Sequence, residues 1–398
     1  MLGENSILNE VRIEKWVYGG EGLARLDGRV ILAPFVLPGE TARIETREDV
    51  HAGLVEVLTP APERITPPCP LFTHCGGCQY QHAPYDFQVA RKVEILREQL
   101  RRVGKIDYQG EIETVSGPAF GFRNRAQFHI ADGRIGYLAA RSHELIPVTA
   151  ECPVCSPRLN QALAMLRERL HDPRFPQFVH SIEIFTNETD VQINALEADR
   201  PVARSFYEWC GSTVAIEYAT SLATFRVSPR SFFQVNRFLI ETLAEKALGD
   251  VTGTTALDLY AGVGLFALPM ARRFETVIAV ESASSAARDL EVNAERAALK
   301  IHTELNRTED YLAKLTQPPD FVLADPPRAG LGKTVVAHLN RLAPERLTIV
   351  SCDPATLARD LAALRGYTIN RLILVDLFPQ TYHLETIAQL RREAVGGA

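Results

Sequence analysis

A chain of 398 residues is longer than one ordinary core of roughly 100–200 residues, which predicts two or three domains. With 46% hydrophobic and 23% charged residues the composition excludes a low-complexity or disordered protein. The formal charge of −6 excludes a generally basic nucleic-acid coat, so contact with a polyanion would need a local positive face. No apolar run nears the roughly 18 residues that cross a bilayer, and the opening MLGENSILNEVRIEKW is too polar for an export signal. The expectation is therefore a cytoplasmic chain without membrane contact, and a monomer by default. Seven cysteines in such a chain favour thiolate chemistry or metal ligation over a disulfide framework.

Residues 7–58 alternate apolar and polar positions in short runs broken at Gly19-Gly20, Asp27-Gly28 and Pro38-Gly39, which predicts a small β-barrel. The proline-rich TPAPERITPPCP reads as the linker that ends it. Over 86–103 the apolar positions Phe87, Ala90, Val93, Leu96, Leu100 and Val103 keep helical spacing, and Gly104 supplies a stop. The other face carries Arg91, Lys92, Arg97, Arg101 and Arg102, which either meet phosphate or are merely solvated. FGFRNRAQFHIADGRIGYLA and SIEIFTNETDVQINAL predict hairpins around Asp132-Gly133 and Asn187-Glu188, with a helix near 158–170 between them. Beyond Phe232 strands and helices alternate, the pattern of a doubly wound parallel sheet.

Asp258-Leu-Tyr-Ala-Gly-Val-Gly sits where the first strand of that sheet gives way to its helix, and its glycines let a ligand approach the backbone. Glu281 closes the next strand 23 positions after Asp258, placed to bind ribose hydroxyls. The third glycine of a dinucleotide fingerprint is missing and no pyrophosphate-cradling loop is evident, so S-adenosylmethionine is preferred to a nicotinamide dinucleotide. In FVLADPPRAG, Asp325 ends a later strand and two prolines stop it, leaving the acid in the ligand crevice.

In LTIVSCDPATLARDL, Cys352 ends another strand directly before a helix whose start is marked by Asp353 and Pro354. A helix N-terminus is expected to lower a thiol pKa, and the thiolate is the attacking form. A general base is expected nearby, and LFPQTYHLET offers both His383 and Glu385; spacing alone does not choose. Cys69, Cys75 and Cys78 fall within ten residues around a glycine pair, and Cys152-Pro-Val-Cys155 offers two further thiols. An iron–sulfur cluster is the leading reading of this set, and zinc held by four thiolates is its rival.

SPRSFFQVN, DLYAGVGLFALPMA, ADPPRAG, SCDPATLARDL and LFPQTYHLE, in this order, resemble the successive motifs of the RNA uracil-C5 methyltransferases, a likeness that spans nearly the whole chain. The resemblance implies a Rossmann-like class I methyltransferase domain over 232–398, an N-terminal TRAM-like small β-barrel over 1–60, and a mixed α+β central iron–sulfur domain over 61–231. The helix near 86–104 is expected to pack on the catalytic domain. By that resemblance Cys352 is the nucleophile and Glu385, not His383, the base. Gln234, Tyr260, Glu281 and Asp325 contact S-adenosylmethionine, and Phe232 supports the target base. Cys69, Cys75, Cys78 and Cys152 bind a [4Fe-4S] cluster, leaving Cys155 and Cys210 free. The family's strand commonly ends in Phe-Cys-Gly or Tyr-Cys-Gly, whereas Ala261 stands here in the cysteine position.

A cysteine fits this chemistry because carbon 5 of uracil is too poor a nucleophile to take a methyl group until a thiolate adds at carbon 6. RNA contact is expected from the barrel and from Arg123, Arg125 and Arg134. Barrel and cluster together favour 23S rRNA, with uridine 54 of tRNA as the alternative substrate and a non-catalytic iron–sulfur RNA-binding protein as the alternative class. A radical enzyme would want C-x-x-x-C-x-x-C spacing, which is absent.

Overall fold

The structure is a computed structural model and describes residues 7–46, 49–140 and 142–393. Five antiparallel strands, β1 (Ile7–Val17), β2 (Glu21–Leu26), β3 (Arg29–Pro34), β4 (Thr41–Thr46) and β5 (Gly53–Thr59), pair in the order β3-β2-β1-β4-β5. Asp27 and Gly28, both at positive φ, make the two-residue turn between β2 and β3. Leu32 of β3 accepts from Ala52 and donates to Val50, each at 2.8 Å, so the edge strand meets the chain leading into β5 and the sheet closes on itself. Val11, Ile13, Ala24, Ile31, Ala33, Ala42 and Ile44 fill its interior. Trp16 faces out of that interior, and its ring stacks on Tyr80 at 4.0 Å.

The middle of the chain forms α1 (Tyr85–Arg102), β6 (Ile112–Val115), β7 (Arg125–Ala131), β8 (Arg134–Leu138), β9 (Leu145–Pro147), α2 (Pro157–Arg169), β10 (Val179–Thr186), β11 (Val191–Ala198), α3 (Arg204–Trp209), β12 (Ile216–Ala219) and β13 (Thr224–Val227). A five-stranded sheet runs β11-β10-β7-β8-β9, with α2 laying Leu159, Leu163 and Leu166 on Phe128, Ile182 and Ile184. Ser156 caps α2 by accepting from the Leu159 amide, and Pro157 occupies its first position.

The basic face of α1 is divided: Lys92 and Arg97 are used inside the protein, whereas Arg101 and Arg102 are exposed. Lys92 is fully buried and donates to Asp376 at 2.7 Å and to the Phe378 carbonyl at 3.0 Å. Arg97 donates to the carbonyls of Tyr108 and Gly110, while Arg91 and Arg102 pair with Glu94 and Glu98. Lys92→Ala leaves the Asp376 carboxylate buried without its cation and is expected to cost about 3–5 kcal/mol, read as a lower urea midpoint. An unchanged midpoint would show that the pair is not what holds α1 to the loop after Val375.

The last region contains α4 (Ile240–Leu248), β14 (Gly253–Leu259), α5 (Ala267–Met270), β15 (Phe274–Glu281), α6 (Ser284–Arg296), β16 (His302–Leu305), α7 (Thr308–Lys314), β17 (Phe321–Ala324), α8 (Gly332–Leu342), β18 (Arg346–Ser351), α9 (Pro354–Ala363), β19 (Tyr367–Val375) and β20 (Glu385–Arg392). Its eight-stranded sheet runs β16-β15-β14-β17-β18-β20-β19-β6. Two apolar layers cover it: Leu243, Ala244 and Ala247 of α4 on one face, and Leu96 of α1, Val335 and Leu339 of α8 and Leu357 of α9 on the other.

The sheet is not wholly parallel, which corrects the sequence reading. β20 runs antiparallel to both β18 and β19. Only nine residues separate Val375 from Glu385, too few for the crossover that a parallel neighbour needs. β6, from the middle of the chain, pairs with β19 and completes the far edge. No helix among the described residues is long and apolar enough to cross a membrane.

Candidate active site

The carboxyl ends of β14, β15, β17 and β18 lie side by side, and they deliver Tyr260, Glu281, Asp325 and Cys352 to one edge of the sheet. The reversed strand β20 brings its first residue to the same edge. Ser351 is paired with Thr386, so one step further along the ladder Cys352 stands opposite Glu385. A cleft of about 670 Å³ opens there, lined by Phe232, Gln234, Tyr260, Glu281, Asp325, Cys352 and Glu385 among others. That volume lies within the range of small-ligand sites, roughly 300–1,000 Å³. Every residue singled out for the donor, nucleophile, base and target uracil thus faces a single space. His383 is not among the lining residues; its ring lies against Tyr382, with centroids 4.3 Å apart. Phe232 is 61% exposed at the cleft, whereas its neighbour Phe233 is buried in the core.

The turn after β14 holds Tyr260, Gly262 and Gly264 at positive φ. The two glycines are required for different reasons. A Cβ on Gly264 would come within 2.4 Å of Leu268, so this position admits α5, whereas Gly262 borders the cleft with nothing within 4 Å of where its Cβ would be. The Gly262 and Ala283 amides donate to the two oxygens of Glu281 at 2.8 and 2.6 Å and fix that carboxylate at the rim.

Four acids share this ground. Burial pushes Asp258 well above the usual carboxylate range, with the charges of Asp325 and Glu281 adding to it. Burial also raises Asp325 to about 7, and it raises Glu385 well above the usual carboxylate range, assisted by Asp325.

The expected lowering of the Cys352 pKa does not occur. Burial pushes the thiol up to about 12, aided by the charges of Glu385 and Asp325 and opposed by Arg328. The helix field is directed elsewhere: Asp353 Oδ1 already takes the Ala355 and Thr356 amides at 3.0 and 2.9 Å. The N-terminus of α9 therefore serves the carboxylate next in sequence rather than the thiol.

Sequence reasoning passed over several residues of the site. Arg328, Thr308 and Phe378 line the cleft. Arg328 directly follows Asp325-Pro-Pro, and that adjacency was the available signal. Of the arginines expected to meet RNA, Arg125 is buried, pairs with Glu183 at 2.7 Å and donates to the Ser231 carbonyl at 2.8 Å. It is a structural residue, because its guanidinium is used in joining β7 to β10 and to the Phe232 loop. Arg123 donates to the Arg125 carbonyl, and Arg134 is exposed beside Asp132.

Away from the cleft, Cys69, Cys75 and Cys152 line one small cavity of about 30 Å³ with Tyr137. Cys78 lies close enough to Cys75 and Cys152 for their charges to bear on its thiol. Cys155 and Cys210 are buried. Among the described residues no group of three or more His, Cys, Asp or Glu side chains is placed to hold a metal ion.

The sheet, the glycine turn and the acidic cleft define a methyltransferase of the class that binds its donor at strand carboxyl ends. Residues 215–393 match the tRNA (uracil-5-)-methyltransferase family. The chain is 34% identical to the 23S rRNA (uracil(1939)-C(5))-methyltransferase RlmD of Pectobacterium atrosepticum, over 93% of this chain and 90% of that protein. It is 33% identical to an RNA methyltransferase of Aquifex aeolicus, uncharacterized, over 96% and 98%. The solved structure of the Pyrococcus abyssi tRNA (uracil-54, C5)-methyltransferase with S-adenosyl-L-homocysteine superposes with a TM-score of 0.77 at 26% identity, covering 96% of this chain and 99% of that one. The chain belongs to the RNA uracil-C5 methyltransferase family.

Proposed function

We propose that this enzyme methylates carbon 5 of one uridine in 23S rRNA, through a covalent bond between Cys352 and carbon 6 of the uracil. The observation that carries the reading is that Cys352, just after β18, and Glu385, the first residue of β20, line one cleft with Glu281 and Asp325, close enough for the Glu385 charge to bear on the thiol. The Cys352 thiol first gives its proton to solvent; the thiolate sulfur then adds to carbon 6, and the electron pair this pushes to carbon 5 takes the methyl group as the donor's carbon–sulfur bond breaks. S-adenosylmethionine supplies an electrophilic methyl on a positive sulfur, whose charge also offsets the acids that hold the Cys352 thiol protonated. Glu385 then removes the carbon 5 proton; the double bond re-forms as the carbon–sulfur bond breaks, and the thiolate leaves. Gln234, Tyr260, Glu281 and Asp325 hold the donor. Phe232, exposed at the cleft, supports the flipped base, which requires an unstacked uridine.

The closed sheet of β1–β5 acts as a TRAM-like RNA-binding unit over 1–60, followed by a central domain over 61–231 and the catalytic domain over 232–398, in a cytoplasmic monomer. Cys69, Cys75, Cys78 and Cys152 would hold a [4Fe-4S] cluster. In support of this reading, Cys69, Cys75 and Cys152 line one small cavity and the charges of Cys75 and Cys152 bear on the Cys78 thiol, and each thiolate of such a cluster binds its own iron. The cluster would cross-link the two segments and takes no part in methyl transfer.

The RlmD relative favours rRNA; the superposition on the Pyrococcus enzyme favours uridine 54 of tRNA as the second reading. Incubation with S-adenosylmethionine and either unmodified 23S rRNA or tRNA, followed by nuclease digestion and mass spectrometry, separates them. 5-Methyluridine in 23S rRNA is expected; its appearance only in tRNA selects the second reading, and its absence from both overturns the proposal. Anaerobically purified protein is expected to carry about four iron and four sulfide per chain. Zinc in their place would overturn the cluster.

A further inference from the structure

The N-terminal sheet reaches the reacting end of the cleft. Tyr18, just after β1, directs its hydroxyl to Asp353 Oδ2 at 3.0 Å. Asp353 follows Cys352 in sequence and uses its other oxygen to cap α9. Arg328, on the cleft wall, donates to the hydroxyls of Tyr18 at 3.5 Å and Tyr382 at 3.4 Å, and its Nε lies 3.7 Å from Asp353 Oδ2. The Tyr18 ring meets Tyr382 edge-on at 5.6 Å. Gly20 has no space for a Cβ, which would come within 2.8 Å of Gln79 and 3.3 Å of Tyr382, so the β1–β2 turn is pressed against the loop that leads to Glu385. Tyr18 is not itself among the cleft-lining residues.

We propose that Tyr18 is a positioning residue for the nucleophile: its hydroxyl holds Asp353, and through it the start of α9 and Cys352, and by occupying Asp353 Oδ2 it keeps the Arg328 Nε at 3.7 Å from that oxygen rather than in direct hydrogen bond with it. The N-terminal sheet is then a working part of the catalytic centre rather than a detachable RNA tether. The inference rests on reading Cys352 as the nucleophile. Burial raises the Tyr18 hydroxyl far above its ordinary range, so it stays a donor at any working pH. The charged groups acting on Cys352 are Glu385 at the start of β20, Asp325 after β17, Asp353 at the cap of α9, and one cation, Arg328. Without the Tyr18 hydroxyl, Asp353 Oδ2 loses its donor and draws Arg328 the short distance towards itself. The thiol then faces three acids with its cation engaged elsewhere.

Tyr18→Phe keeps the ring contacts and removes only the hydroxyl. The test is alkylation of the full-length protein by iodoacetamide across pH, with the Cys352 peptide quantified by mass spectrometry. This reaction needs neither RNA nor methyl donor, so it reports on Tyr18 and Cys352 even if the proposed substrate is wrong. In Tyr18→Phe alkylation is expected to be about tenfold slower at each pH between about 7 and 9, the range below the thiol's midpoint in which the protein stays folded. Methyl transfer is expected to show a lower kcat with RNA KM and donor affinity within about twofold of wild type. An unchanged alkylation profile overturns the proposal. So does a higher RNA KM with unchanged alkylation, which would make Tyr18 an RNA contact.

Discussion

Cys352→Ala is expected to lower methyl transfer by at least about 10⁴-fold, because without the sulfur no electron density reaches carbon 5. Binding of S-adenosyl-L-homocysteine should stay within about twofold of wild type, since Tyr260 and Glu281, proposed to hold the donor, come from other strand ends of the cleft. Cys352→Ser keeps the size and places a far poorer nucleophile in the same setting, so it should be nearly as inactive. RNA carrying 5-fluorouridine, whose carbon 5 cannot release a proton, should give a stable adduct with the wild type and none with either variant. The adduct is read as a band of reduced mobility on a denaturing gel. Residual activity within about tenfold of wild type would remove Cys352 from the mechanism.

The main features of the catalytic sheet were legible because they are written in local pattern. Apolar runs such as FVLA and TIVS, each followed by a helical period, report burial on both sides of a strand, and that depends on neighbours in sequence. What depended on distant pairing was not legible. β20 reads locally as a short mixed run, ETIAQLRR, and nothing in it announces insertion between β18 and β19. That insertion is what sets Glu385 against Cys352, so the most telling geometry of the site was absent from any local window. The same holds for Tyr18, whose partner Asp353 lies 335 positions away. The Cys352 environment failed for a different reason. A helix start was visible, but the prior claim of Asp353 on its amides and the burial that outweighs a helix field are properties of the packed state.

Glu385→Gln is expected to trap the covalent intermediate rather than prevent it. The amide cannot take the carbon 5 proton, so elimination stalls, and turnover should fall by about 10²–10⁴-fold. Adduct formation should survive, and the sign follows from the electrostatics. The Glu385 charge raises the Cys352 pKa, so a neutral residue there lowers it and makes thiolate easier to form. With ordinary uridine RNA and S-adenosylmethionine, the variant should therefore accumulate a methylated adduct that the wild type shows only fleetingly. His383→Ala should turn over within about tenfold of wild type, since its ring packs on Tyr382 outside the cleft lining. Fast product release by the Glu385 variant without accumulated adduct would require another base. Asp325, which lines the same cleft, bears on Glu385 through its charge and is raised to about 7 by burial, would be that base.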